Sequence, residues 1–191
     1  HIGQGVLSDM GGIYTLGVAP GTVLRGNHIH DVIAYGYGGW GIYPDEGSSW
    51  LLIEDNVCYN TKTGGFHQHY GRENVVRNNI FAFAVWGQLQ RTREEPHISF
   101  FFERNAVLVE EEPVLHGNWL GGEVVMDHNL YWDVRERKPD FGPCSFADWR
   151  RHGHDVHSVI ADPRFADPRN GDFRLFAESP LTDIGFQPID V

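Results

Sequence analysis

The sequence predicts an all-β fold, a parallel β-solenoid, on three observations. A segment reading apolar, apolar, charged, variable, Asn occurs five times, at spacings of 29, 23, 26 and 24 residues. A second, glycine-led segment precedes the copies, and no amphipathic stretch of helix length lies between them. The composition agrees, since 23 Gly and 10 Pro against 2 Met favour turns and short strands over long helices.

The first element of each coil is the glycine-led strand: Gly12-Ile13-Tyr14, Gly41-Ile42-Tyr43, Gly65-Phe66-His67 and Gly87-Gln88-Leu89. The second is the strand that ends on asparagine, over 23–28, 52–57, 75–80, 101–106 and 125–130. Asn tolerates left-handed backbone, so each copy reads as a strand entering a tight turn closed by Asn27, Asn56, Asn79, Asn105 or Asn129. One turn of a solenoid cannot bury its inner face alone, and stacking supplies the core. Leu24, Ile53, Val76, Phe102 and Met126 then stack inward, while Arg25, Glu54, Arg77, Glu103 and Asp127 form an outward charged ladder. Asparagine amides about 4.8 Å apart can hydrogen-bond from rung to rung, which makes that column structural. The Leu-x-x-Leu-x-Leu frame of leucine-rich repeats is missing.

Residues 1–133 are thus expected to form about five coils, and 134–191 a C-terminal capping segment of the same domain. Ser145, with Asp148 three places on, predicts the N-cap of a short helix reaching His152. A Pro- and Gly-punctuated tail completes the cap. The N-terminal side shows no such device, because Gly12-Ile13-Tyr14 already belongs to the repeat. The expectation is either a longer solenoid of which this is the C-terminal part, or end-to-end contact with another chain at the uncapped first rung.

The length of 191 residues, with 41% apolar and 21% charged, fits one well-buried domain and excludes disordered, collagen-like and coiled-coil readings. A net charge of −11 argues against nucleic acid or an anionic membrane as partner and favours a neutral over a polyanionic substrate. No apolar run approaches the roughly 20 residues that cross a bilayer. The chain opens on His1, so any export signal is expected to have been removed. Cys58 and Cys144 are too few for a disulfide framework or a cysteine zinc site.

The runs Asp9-Met10-Gly11-Gly12-Ile13-Tyr14, Asn27-His28-Ile29-His30-Asp31, Gly41-Ile42-Tyr43-Pro44-Asp45-Glu46-Gly47-Ser48-Ser49 and Gly64-Gly65-Phe66-His67-Gln68-His69-Tyr70-Gly71, with the ending from Ser179-Pro180 to Gly185, resemble bacterial right-handed parallel β-helix proteins. Within that group the chain is most similar to carbohydrate-active members akin to glycoside hydrolase family 141. The resemblance implies a single-stranded right-handed parallel β-helix, secretion to an extracellular or periplasmic site, and hydrolysis of a xylan- or fucoside-type polysaccharide. The superfamily also holds lyases, epimerases and adhesins.

Aligning the glycines places Tyr14, Tyr43, His67 and Leu89 in one column, and Leu16, Asp45, His69 and Arg91 in the next on the same face. Glycoside hydrolysis needs two carboxyl groups, one as proton donor and one as nucleophile or base. Asp45 is the first candidate. Its partner is Glu46, if a turn at Gly47 brings it round, or Asp9, if the chain bends before the first strand; otherwise 45–49 is merely a polar turn. His69 can pair with Asp45 for proton movement, and Tyr14, Trp40, Tyr43, His67, Gln68 and Arg91 are expected to contact substrate. The His67 to His69 cluster has two other readings, as metal ligands together with the acidic neighbour or as a solvated ladder; no metal ligand or cofactor is assigned, with a bound calcium or other divalent ion as the alternative. Aromatic side chains near this face, Tyr35, Tyr37 and Trp86 among them, either stack on sugar rings or fill the coil. His28 and His30 read as partly buried and hydrogen-bonded, and His152, His154 and His157 as a loop rather than a site. No Gly-x-Ser-x-Gly elbow, P-loop or dinucleotide fingerprint occurs. The expected function is a glycoside hydrolase, with a glycan-binding or assembly module, or a polysaccharide lyase using Arg72, Arg91 or Arg93, as alternatives.

Overall fold

A computed structural model describes residues 5–190. The chain winds as a right-handed parallel β-helix of five full coils and a partial sixth. The first coil carries β1 (Gly11–Thr15), β2 (Val23–Arg25) and β3 (His28–Val32), and the second β4 (Trp40–Pro44), β5 (Leu52–Glu54) and β6 (Val57–Thr61). The third has β7 (Phe66–Gln68), β8 (Asn74–Arg77) and β9 (Ile80–Ala82), and the fourth β10 (Leu89–Arg91), β11 (Ile98–Glu103) and β12 (Ala106–Val109). The fifth holds β13 (Leu115–Gly117), β14 (Glu123–Asp127) and β15 (Leu130–Asp133), after which come α1 (Phe146–Arg151), β16 (Val159–Ile160), β17 (Phe165–Asp167) and β18 (Asp172–Leu175). Each coil strand pairs in parallel with the one a coil later, giving sheets β1-β4-β7-β10-β13, β2-β5-β8-β11-β14 and β3-β6-β9-β12-β15-β16, while β17 and β18 form an antiparallel pair of their own.

The corner between the second and third sheets carries the asparagine repeat. Leu24, Ile53, Val76, Phe102 and Met126 pair in one register and face the core. Asn27, Asn56, Asn79, Asn105 and Asn129 form a continuous amide ladder, each Nδ2 donating to the next Oδ1 at 2.8, 2.9, 3.0 and 3.2 Å. The left-handed residue, however, is the one before each ladder Asn: Gly26, Asp55, Asn78, Arg104 and His128 all have φ between 53° and 66°. The ladder asparagine spends its side chain on bridging coils, so the turn falls to its neighbour. On the outer surface, Glu54 accepts from both Arg25 and Arg77.

The glycine repeat has a steric cause. The coil is so flat in section that side chains of the third sheet press on the backbone of the first: a Cβ on Gly41 would sit 1.9 Å from Cys58 Sγ, and one on Gly12 2.5 Å from Ile29 Cγ2. Cys58 and Cys144 are free thiols.

The capping segment divides in two. Ser145 caps α1 as expected, accepting from Asp148 N at 3.1 Å. Phe146 and Trp149 of α1 close the end of the core, where Trp149 meets Trp119 at 6.2 Å between centroids. Asp155 is wholly buried, and its carboxylate accepts from Asn129 Nδ2, Tyr131 Oη and Trp149 Nε1 at 2.9, 2.9 and 2.8 Å. Ser158 Oγ accepts from Asn129 N at 2.7 Å, so Asp155 and Ser158 terminate the ladder. The remaining tail does not cap the end. Phe165, Phe173, Leu181, Ile184 and Phe186 lie along the outer face of the third sheet against Tyr59, Ile80, Leu108 and Leu130, forming a second core. His28 and His30 are exposed beyond that cover, His30 bonding Asp31 at 2.8 Å and stacking on Tyr59.

Candidate functional site

The outer face of the first sheet holds a cleft of about 360 Å³. Register builds it. Tyr14 pairs with Tyr43, and Gln90 with His67, so the column Tyr14, Tyr43, His67, Gln90 faces outward. The next column on that face is Asp45, His69 and Thr92, with His69 N donating to Pro44 O and Thr92 N to Gln68 O.

Two expected contacts are corrected. Coil four is shifted by one residue from the glycine alignment, Leu89 pairing with Phe66 and Arg91 with Gln68, which turns Arg91 inward, and Gln68 faces inward because it alternates with outward His67. Gln68 is 0% exposed, its amide shared between Ser99 O and Asn74 Nδ2. Arg91 is also 0% exposed; its guanidinium donates to Asn118 O and Gly121 O and lies over the Trp119 ring. Neither reaches the cleft. Gln90 and Thr92 take the places assigned to Leu89 and Arg91, and Thr63 and His116 also line the cleft. The apolar column Ile42, Phe66, Leu89, Leu115 carries the correct register, whereas Gly87 lies off it.

The three carboxylates expected here converge. Asp45, 6% exposed, accepts a hydrogen bond from the Tyr14 hydroxyl. Asp9 adopts φ +52°, fixed by Asp9 N donating to Tyr37 O at 2.9 Å, and this is the bend that carries its carboxylate to Tyr43. Tyr43 Oη donates to Asp9 Oδ1 at 3.3 Å. Glu46 is exposed at the rim, brought round by the turn at Gly47, φ +71°. Burial, then the charges of Asp45 and Asp9, push the Tyr43 phenol far above its ordinary range; the bond to Asp45 does the same for Tyr14. Both phenols therefore remain donors.

An aromatic floor supports these groups. His67 stacks on Tyr43 at 4.5 Å and 13°, and Trp40 packs against both rings at 4.3 and 4.4 Å. Trp40 is buried, its Nε1 donating to Gln90 Oε1 at 2.6 Å, so it supports the floor rather than meeting solvent. Tyr37 and Trp86 provide the exposed rings at the rim. Burial first, then His69 and His116, lowers His67 to about 3, so its imidazole is neutral near pH 7. Thr92 Oγ1 bridges His67 Nε2 and His69 Nδ1 at 3.0 and 2.7 Å. Among the described residues, His67 Nδ1 has no partner and no Lys or Arg lines the cleft.

Chemically, the cleft offers acidic groups for proton donation or nucleophilic attack, neutral donors and acceptors for hydroxyls, and aromatic faces for apolar ring surfaces. It defines a parallel β-helix with an acidic, aromatic-lined groove on its first sheet. No family model, curated protein or solved structure matches this chain.

Proposed function

We propose that the protein is a glycoside hydrolase acting on a neutral polysaccharide of xylan or fucoside type, outside the cytoplasm. The observation that carries this reading is the placing of Asp45 and Asp9 about the Tyr43 phenol on an aromatic floor. Asp45, oriented by Tyr14, is suited to attack the anomeric carbon or to activate water. Asp9, at the mouth of the cleft and held by the Tyr43 hydroxyl, supplies the second carboxyl group that such hydrolysis requires. His67, being neutral, joins Gln90 and Thr92 in positioning sugar hydroxyls, while Tyr37 and Trp86 stack on ring faces. A lining that among the described residues holds no Lys or Arg favours a neutral sugar over a uronate, and buried Arg91 is withdrawn from lyase chemistry.

The test is reducing-sugar release, with absorbance near 235 nm followed for unsaturated product, on neutral and uronate polysaccharides. Asp45→Asn and Asp9→Asn should each lower hydrolysis by about 10²- to 10⁴-fold with folding intact. Full activity in Asp45→Asn would remove the proposal. A second reading, a glycan-binding or end-to-end assembly module, draws on the first rung: among the described residues no strand pairs with the outer edges of β1, β2 and β3, and Leu16, Val18 and Val23 are exposed there. Inactivity with retained oligosaccharide binding, or a concentration-dependent oligomer in sedimentation, would favour it.

A further inference from the structure

At the far end of the coil, away from the cleft, Asp127, His128 and His157 bring three ligating atoms together. Asp127 ends β14, His128 is the left-handed corner residue, and His157 comes from the capping segment 30 positions from Asp127. Asp127 Oδ2 lies 2.7 Å from His157 Nδ1 and 3.5 Å from His128 Nδ1. The two imidazoles stack at 5.0 Å between centroids and 20°. Among the described residues this is the one group of three His, Cys, Asp or Glu side chains whose ligating atoms all lie within 4.8 Å of one another.

The arrangement has the parts of a metal centre. Bonds of about 2.0–2.1 Å from a tetrahedral ion to nitrogen and oxygen place ligands roughly 3.3 Å apart. The two measured separations fall on either side of that value, so small side-chain rotations would seat an ion. Asp127 is held from behind: its Oδ1 accepts from the backbone N–H of His128 at 2.9 Å and of His157 at 2.7 Å, which leaves Oδ2 for the two imidazoles. Such outer support is what keeps a ligating carboxylate in place. The side chains of His128 and His157 are 45% and 66% exposed, so an ion has an open path and water can complete the coordination.

We propose that Asp127, His128 and His157 bind one divalent transition-metal ion of borderline softness, of which Zn²⁺ is the type, and that this ion staples the capping segment to the last coil. The position gives the staple its purpose. His157 is followed directly by Ser158, which closes the asparagine ladder on Asn129, so an ion at this corner fastens the cap where the ladder stops. The site is independent of the hydrolase reading.

The test titrates metal-free protein with Zn²⁺, following bound zinc by equilibrium dialysis and Tm by circular dichroism. His157→Gln, His128→Asn and the double variant serve as comparisons; Asn suits the left-handed position at 128. The expected result is one saturable equivalent that raises Tm, weakened about tenfold or more by either single change and abolished by the double one. Without zinc, the double variant should unfold close to the native Tm. Binding unchanged in the double variant would overturn the proposal, as would a native protein whose Tm does not respond to Zn²⁺; the latter marks an ion pair only.

Discussion

Replacing Asn79 by Ala removes a fully buried side chain that makes five hydrogen bonds in the middle of the ladder. Its Oδ1 accepts from Asn56 N and Nδ2 at 3.0 and 2.9 Å; its Nδ2 donates to Ile53 O, Arg77 O and Asn105 Oδ1 at 3.0, 2.9 and 3.0 Å. Some partners keep other bonds. Asn56 Nδ2 still reaches Leu24 O and Glu54 O, and Asn105 Oδ1 still accepts from Asn79 N. The Asn56 N–H retains nothing, and an orphaned buried donor costs about 1–3 kcal/mol, with about 0.5–1.5 kcal/mol for each bond lost elsewhere. Since neighbouring losses are not additive, the sum is about 3–5 kcal/mol, a large share of the stability of a single domain. Asn27→Ala is the internal control. At the half-buried first rung its Nδ2 donates only to Arg25 O and Asn56 Oδ1, so its loss should cost about 1 kcal/mol. Urea unfolding followed by circular dichroism measures both. An Asn79→Ala cost below about 1 kcal/mol, or no greater than that of Asn27→Ala, would refute the ladder as a source of stability.

Three further outcomes are expected. His67 titrates at about 3 in the folded chain against an ordinary value of 6.5, so below pH 6.5 the unfolded chain takes up a proton that the folded chain refuses until about pH 3. Between pH 7 and 5 this should remove about 2 kcal/mol of stability, and a pH series on His67→Phe should lack that part. Asp155→Ala strands the Asn129, Tyr131 and Trp149 donors and should cost about 3–5 kcal/mol, read as early protease cleavage within 134–191. Burial opposes the Glu54 charge, yet the bonds from Arg25 and Arg77 outweigh it and hold the carboxyl below its ordinary range. That contribution is present above about pH 4.5 and fades as acid protonates Glu54; Glu54→Gln should remove it, at about 1 kcal/mol because both arginines are solvated.

The asparagine column, the inward stack at Leu24 to Met126 and the α1 cap were legible because a solenoid turns axial repetition into sequence repetition. The carboxylate cluster was legible only in part: Asp45 follows from its column, but the reach of Asp9 depends on a left-handed φ that nothing in the local sequence marks. The register of coil four was misread because glycine was used as the anchor. Gly12, Gly41 and Gly65 answer to Ile29, Cys58 and Phe81 pressing on the first sheet, whereas Gly87 answers to His116 of the next coil, and Gln88, not Gly87, pairs across to Gly65. The apolar residues Phe165, Phe173, Leu181, Ile184 and Phe186 follow neither helical nor strand spacing, so their lining of the third sheet was hidden. His157 lies in a turn, as expected, but its contact with Asp127 was hidden because the two are distant in sequence.

The cleft takes Tyr43 and Asp45 from one coil, His67 and His69 from the next, Gln90 and Thr92 from a third and His116 from a fourth. Distances along its axis therefore come in steps of about 4.8 Å, and distances across it in steps of two residues. Such a groove can lengthen or shorten by gain or loss of a whole coil without disturbing the groups on either side. A single-residue deletion within a strand does the opposite, exchanging the inner and outer faces of that coil. The 23 residues 56–78 are in this sense one unit of inheritance, and the chain should survive their loss more readily than the loss of one residue among them.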